Sequence, residues 1–255
     1  MARALTDSER LLVRRAMDKM DQAEKRYSVT STGFLSELEQ DILMTELGAM
    51  DATEKRFVGG YTDAERRMLA FVPEYSELDE SELMAAVRCS YYKDYDIGHR
   101  DLLGALMGLG IERETVGDII VNKKEKYADI VVKRDILGFI LNELSSAGRA
   151  SLTLKEIPLC ELENTERDTV TVTDTVASPR LDAIVATGFG LSRENASALI
   201  KSGKVYLDRR QTLAPDKTVT DNATVNAQGF GKFKVSVTGN VSKKGRMFIK
   251  IEKYV

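Results

Sequence analysis

The sequence is poor in the residues that carry most enzyme chemistry. Among 255 residues there is one histidine, His99, and there are two cysteines, Cys89 and Cys160. The cysteines lie far apart, with neither a pairing nor a metal-ligand spacing, which argues against a soft metal site and for a reduced compartment. Cys89, inside the apolar run "LMAAVRCSYY", is expected in the core. No run of 18 apolar residues occurs, so no segment is expected to span a membrane. The opening stretch "MARALTDSERLLVRRAMDKM" has neither the apolar centre nor the cleavage site of a signal peptide, and a cytoplasmic protein is expected. No cofactor, metal or small-molecule substrate is expected.

What is present is ordinary in amount and uneven in placement. Apolar residues make up 43% and charged residues 30%, as in soluble proteins with two or three small domains. The net charge of −3 conceals a division. Residues 180–255 carry 14 Lys and Arg against 6 Asp and Glu, a net +8, whereas the first 179 residues carry a net −11. Such asymmetry points to an anionic partner for the C-terminal part.

The pattern divides into four stretches. Residues 1–62 read as a helical segment, with apolar residues at helical spacing in "SERLLVRRAMDKMDQAEKR" and "GFLSELEQDILMTELGAM". Residues 63–159 alternate as β-β-α-β-β-α-β, beginning with "RRMLAFV" and "LMAAVRCSYY". That order predicts a small α+β domain, RRM-like, with helices on one face of the sheet. The second helix is expected over "RDILGFILNELSSAG". Residues 160–178 are acidic and Thr-rich and read as a linker, with one Thr/Val segment suited to a sheet edge. Residues 179–255 predict two short helices packed on a small sheet. Ser178 and Pro179 look like one helix start, with that helix ending at Gly188. Ser192 looks like a second N-cap, with Gly203 as the matching stop.

On the second of these helices Arg193, Ser197 and Lys201 recur every four residues and share a face. Lys204, Arg209 and Arg210 follow. Cations so spaced suit a phosphate backbone, and the two helix N-termini would add backbone donors. The bland alternative is a solvated helix face.

The stretch "SPRLDAIVATGFGLSRENASALIKSGKVYLD" resembles an S4 domain, the RNA-binding module of ribosomal protein S4, some pseudouridine synthases and tyrosyl-tRNA synthetase. The matching residues are Arg180-Leu181-Asp182, Ser192-Arg193, Ala196, Leu199-Ile200, Gly203 and Val205. Together with "GGYTDAERRMLAFVP", "GHRDLLGALMGLGIERETVGDIIV" and "GFGKFKV…SKKGR", the resemblance extends over residues 30–255 to the YlmH-type S4 proteins of bacteria. It implies an RNA-binding protein of the large ribosomal subunit, contacting ribosomal RNA and tRNA in the quality control of stalled translation. It also implies RNA contacts at Arg180, Ser192, Arg193, Lys201, Lys204, Arg209, Arg210 and Lys232. Secondary contacts would be Lys243, Lys244 and Arg246; His99 and Arg100, at a helix start, read first as structural residues, with contact to RNA or a ribosomal protein as the alternative. Two departures, Asp208 and Gln228, replace an expected Asn and Arg and lower the positive potential nearby.

Enzyme readings fare poorly against the residues. "DIGHRD" has the wrong order for a synthetase signature. His99-Arg100-Asp101-Leu102 opens like a kinase catalytic loop, but Leu106 stands where Asn is required and no DFG follows. A pseudouridine synthase needs a catalytic Asp in a separate large domain, and the one Arg-Leu-Asp lies inside the S4-like helix. Gly108-Leu109-Gly110 lacks dinucleotide-loop spacing. The acidic cluster Glu74, Glu77, Asp79, Glu80 and Glu82 reads as a solvated loop. A non-enzymatic RNA-binding protein is expected. The rivals are an RNA-modifying enzyme and a protein-interaction factor with incidental RNA affinity.

Overall fold

The computed structural model describes residues 5–48, 53–92, 94–162, 169–208, 210–241 and 245–254. The chain separates into two compact units, residues 1–165 and 166–255. The fold is mixed α and β, with small antiparallel sheets in both units.

The first unit opens with α1 (Asp7–Arg26), β1 (Thr30–Ser31) and α2 (Glu37–Leu47). Both helices start in a capping box. Thr6 Oγ1 accepts from Glu9 N and Glu9 Oε2 from Thr6 N; Ser36 and Glu39 repeat the arrangement. Strands β2 (Glu54–Val58) and β3 (Met68–Val72) join β1 in a sheet of order β1-β3-β2. The N-terminal segment is therefore two helices on a sheet. "RRMLAFV" is not a strand of the central domain: β3 pairs with β2 from Glu54↔Val72 to Val58↔Met68. The partner β2, "EKRFV", alternates exposed and half-buried residues before buried Val58 and carries no apolar run, so its strand character is hidden.

The short helix α3 (Glu80–Leu83) leads into the central domain: β4 (Met84–Ser90), α4 (His99–Gly108), β5 (Val116–Asn122) and β6 (Tyr127–Lys133). Helix α5 (Leu137–Glu143), the small hairpin β7 (Ser146–Ala147) and β8 (Ala150–Ser151), and β9 (Thr153–Ile157) complete it. The second helix is shorter than its sequence pattern suggests. Leu144, Ala147 and Ala150 are buried in the core only because the chain leaves the helix and turns at Gly148. The sheet order is β5-β6-β4-β9, antiparallel throughout. One face carries Val87, Cys89 and Ile130 against Leu102, Leu106 and Ile140 of α4 and α5. On the other face Met84, Ala86 and Val131 pack against Phe34, Val58, Met68 and Ala70. That face is thus partly covered by the N-terminal sheet.

Buried Asp118 holds the junction. Its carboxylate accepts from Tyr61 OH at 2.7 Å, Glu65 N at 2.7 Å and Arg66 N at 3.1 Å. Arg66 in turn donates to the carbonyls of Phe34, Arg113 and Val116, and burial holds its pKa below the ordinary arginine value. These contacts make Tyr61, Glu65 and Arg66 of the "GGYTDAERR" stretch a clasp.

The second unit contains β10 (Thr169–Val176), α6 (Leu181–Phe189), α7 (Arg193–Lys201), β11 (Val205–Leu207) and β12 (Arg210–Gln211). Strands β13 (Ala223–Ala227), β14 (Gly231–Val241) and β15 (Met247–Tyr254) follow. The sheet order is β10-β15-β14-β13-β11-β12. The Thr/Val alternation of 169–176 is its edge strand, in register with β15 from Thr169↔Tyr254 to Val176↔Met247, which is the sheet-edge segment expected within 160–178.

Candidate nucleic-acid interface

In the second unit the apolar sides of α6 and α7, with Leu181, Ile184, Val185, Ala196 and Ile200, close over Val205, Val225, Phe233, Ile249 and Ile251. Burying that stripe fixes which residues of α7 face water. Arg193, Glu194, Asn195, Ala198 and Lys201 are exposed, and Ser197 is half-buried.

Helix α7 begins where its sequence signals place it, with Ser192 Oγ accepting from Asn195 N at 3.1 Å. Gly203 follows in the left-handed region, at φ 75°. Helix α6 differs from the expectation. Its N-cap is Arg180 rather than Ser178, and it runs through Gly188 to a left-handed Gly190. The cause is a distant segment: Leu181 N donates to Lys217 O and Asp182 N to Pro215 O. Those donors are therefore occupied and do not face an anion.

The predicted cations fall into distinct groups. Arg180 and Arg193 are both tied to Asp182. Arg180 Nη2 lies 3.1 Å from Oδ2, and Arg193 Nη2 lies 3.0 Å from Oδ1. The Asp182 side chain is only 10% exposed. Burial alone would raise its pKa; the two guanidinium hydrogen bonds and charges outweigh this and hold the carboxyl below its ordinary value. The three groups together present one net positive charge.

Lys201, Lys204 and Arg210 are exposed and have no ion pair with any described residue. Lys201 ends α7, Lys204 precedes β11, and Arg210 returns antiparallel to lie opposite Leu207. Gln211 Nε2 donates to Gly203 O at 2.8 Å, pinning that return to the end of α7. Helix end and strand edge are thus brought together with three cations. Lys232 lies on β14 opposite Asn226. Arg246 donates to Thr175 Oγ1 at 3.0 Å and to the Thr175 carbonyl, fastening β10. Arg209, Lys243 and Lys244 lie outside the described residues.

The two departures have structural roles. Asp208 sits at φ 47° in the turn after β11, and its Oδ1 accepts from Thr224 N at 2.8 Å. Gln228 donates through its backbone N to Lys204 O, with Nε2 3.3 Å from Tyr206 OH.

In the central domain His99 and Arg100 stand exposed in the first turn of α4, with Asp101 Oδ2 accepting from Gly98 N at 2.9 Å. Arg100 lines a cavity of about 510 Å³ beside the β7–β8 turn. The part of the sheet face left uncovered by the N-terminal sheet holds groups that sequence reasoning passed over. Arg88 forms a two-pronged pair with Asp129, at 2.8 and 2.7 Å, and its guanidinium lies 4.1 Å from the centre of the Tyr127 ring. Lys155 is opposite Arg88 on β9 and exposed. The alternation Met84, Ala86, Arg88 was the available signal.

Comparison with known proteins decides the family. A Bacillus subtilis (strain 168) protein named "Ribosome-associated protein quality control protein P2" is 31% identical over 247 residues, covering 96% of this chain and 95% of that relative. The chain belongs to the YlmH family. Family models agree: residues 8–76 match the N-terminal region of YlmH, and residues 84–161 match the "Putative RNA-binding domain in YlmH". A solved structure, "Cell division protein ylmH from Streptococcus pneumoniae", aligns with 64% of this chain and 99% of its own at TM-score 0.54 and 20% identity, showing a shared fold. In this YlmH-family chain the RNA-binding description thus falls on the central domain, which contains His99 and Arg100 but none of the primary C-terminal candidates. Among the described residues, no helix is long and apolar enough to cross a membrane.

Proposed function

We propose that this chain is a non-enzymatic, cytoplasmic RNA-binding protein that grips ribosomal RNA and tRNA on the large ribosomal subunit, with the C-terminal unit acting as an S4 domain. The observation that carries this reading is the cluster of Lys201, Lys204 and Arg210, exposed and unpaired with any described residue, where the end of α7 meets the β11–β12 edge. Cations placed this way neutralise phosphates and release counterions. The name of the Bacillus subtilis relative supports the ribosome as the site of action and protein quality control as the process. The match of residues 84–161 supports the central domain as a second RNA contact.

Two observations favour binding over catalysis. Burial pushes the Cys89 thiol up to about 12, far from a nucleophile's range. The Arg180-Leu181-Asp182 triplet, which matches a synthase's catalytic motif in sequence pattern only, lies at the start of the packed helix α6, where Asp182 orients Arg180 and Arg193.

The test is co-sedimentation of the full chain with large ribosomal subunits. The double substitution Lys201→Glu, Lys204→Glu should abolish co-migration while leaving the fold intact, since both side chains are exposed. Arg193 is unsuitable, because a carboxylate there would face Asp182. Unchanged co-migration of the double variant would overturn the assignment.

A further inference from the structure

The tip of the β13–β14 hairpin carries an aromatic ring that the basic face does not explain. Phe230 is 42% exposed, between Gly229 at φ 83° and Gly231 at φ 101°. A Cβ added at either glycine would meet no atom within 4 Å, so the tip stands in open space. The turn is set by a hydrogen bond from Phe230 N to Ala227 O at 3.0 Å, with Gly229 at the position of a tight turn that demands positive φ. The ring is also held from below. Its centre lies 5.7 Å from that of Phe189 at the end of α6, and Phe189 rests on buried Phe233 at 4.9 Å. Lys253 Nζ lies 5.6 Å from the Phe189 ring centre.

We propose that Phe230 is a stacking platform for one unpaired RNA base. A single exposed ring is too small to seat a protein partner, since a stable interface buries roughly 800 Å² per side. One base needs only one ring face, and an anchored ring loses little freedom when it is covered. The surroundings favour a nucleic acid, because residues 180–255 carry a net +8 and Lys253 sits beside the aromatic group. Paired bases offer no free face, so the ligand class is RNA with an unstacked nucleotide, in a loop or a bulge. The inference rests on the RNA-binding reading of this unit and adds to it what the unit distinguishes.

The experiment uses the full chain and two labelled RNAs, a hairpin with a short unpaired loop and a blunt duplex of matching stem sequence. Phe230→Ala should weaken the hairpin about tenfold, within the range for loss of one base stack, and leave the duplex within about twofold. Phe230→Trp should retain hairpin affinity. The chain has no other tryptophan, so the new indole is a sole reporter whose emission should be quenched by the hairpin and not by the duplex. Lys201→Glu with Lys204→Glu should weaken both RNAs. Unchanged hairpin affinity in Phe230→Ala, equal losses on both RNAs, or an indole indifferent to the hairpin would overturn the platform while leaving the basic face standing. Failure of the wild-type chain to bind either RNA would overturn both.

Discussion

Asp182 shows how one carboxylate alters the meaning of two arginines. Arg180 and Arg193 look like free phosphate contacts in sequence, yet both are oriented by Asp182 across 2 and 11 residues. Asp182→Asn should destabilise the C-terminal unit by about 1–3 kcal/mol, the usual cost of losing hydrogen bonds to charged groups. Because the folded carboxyl is held below its ordinary value, the stabilisation is present above the unfolded pKa of about 4 and is lost as pH falls through the lower folded value. Urea unfolding of wild type and variant should therefore differ at pH 6 and converge in strong acid. A difference that persists in strong acid would contradict the ion-pair account. The cysteines supply a second check at this scale. Cys89 is buried with its thiol pushed up to about 12, whereas Cys160 is exposed. A thiol-reactive dye at neutral pH should label Cys160 quickly and Cys89 only after denaturation.

At the scale of elements, Gly188 tests why α6 passes through a residue that sequence reads as its end. An added Cβ would lie 2.2 Å from Phe233 Cε1, and Phe233 fills the centre of the second core. Alanine gains about 1 kcal/mol of helix propensity over glycine, but forcing the ring aside costs about 1–3 kcal/mol and sometimes more. Gly188→Ala should therefore lower the melting temperature, and a rise would refute the close-packing argument. Legibility follows the range of the controlling contact. Ser192 and Gly203 bound α7 through bonds within a few residues, and both are readable. The start of α6 depends on carbonyls of Pro215 and Lys217, more than 30 residues away, so Ser178-Pro179 misleads. Strand β2 is a sheet edge with charged residues at three of its five positions and no apolar run, and α5 stops early to bury Leu144. The exposed positions of Lys201, Lys204 and Arg210 follow from the apolar stripe of α7 and the turns beside it. The capture of Arg180 and Arg193 by Asp182 is a matter of side-chain geometry and could not be read.

Across the whole molecule, charge separates the roles of the parts. The first 179 residues carry a net −11 and residues 180–255 a net +8, so the proposed function assigns long-range attraction to RNA to the C-terminal unit, while the family's RNA-binding description falls on the central domain. The central sheet has part of one face under the N-terminal sheet, clasped by Asp118, and Arg88 is engaged by Asp129 on the remainder. Under the proposed function, that arrangement would suit a positioned, short-range contact, with α7 and the β11–β12 edge supplying the electrostatic attraction. The most direct test is the salt dependence of binding to structured ribosomal RNA, measured with the full chain and with Lys201→Glu, Lys204→Glu. If those lysines each neutralise a phosphate, the wild-type plot of log affinity against log salt falls steeply, and the double variant's slope is shallower by about 2. A flat wild-type plot, or equal slopes in the two proteins, would contradict the claim that this face binds the RNA backbone.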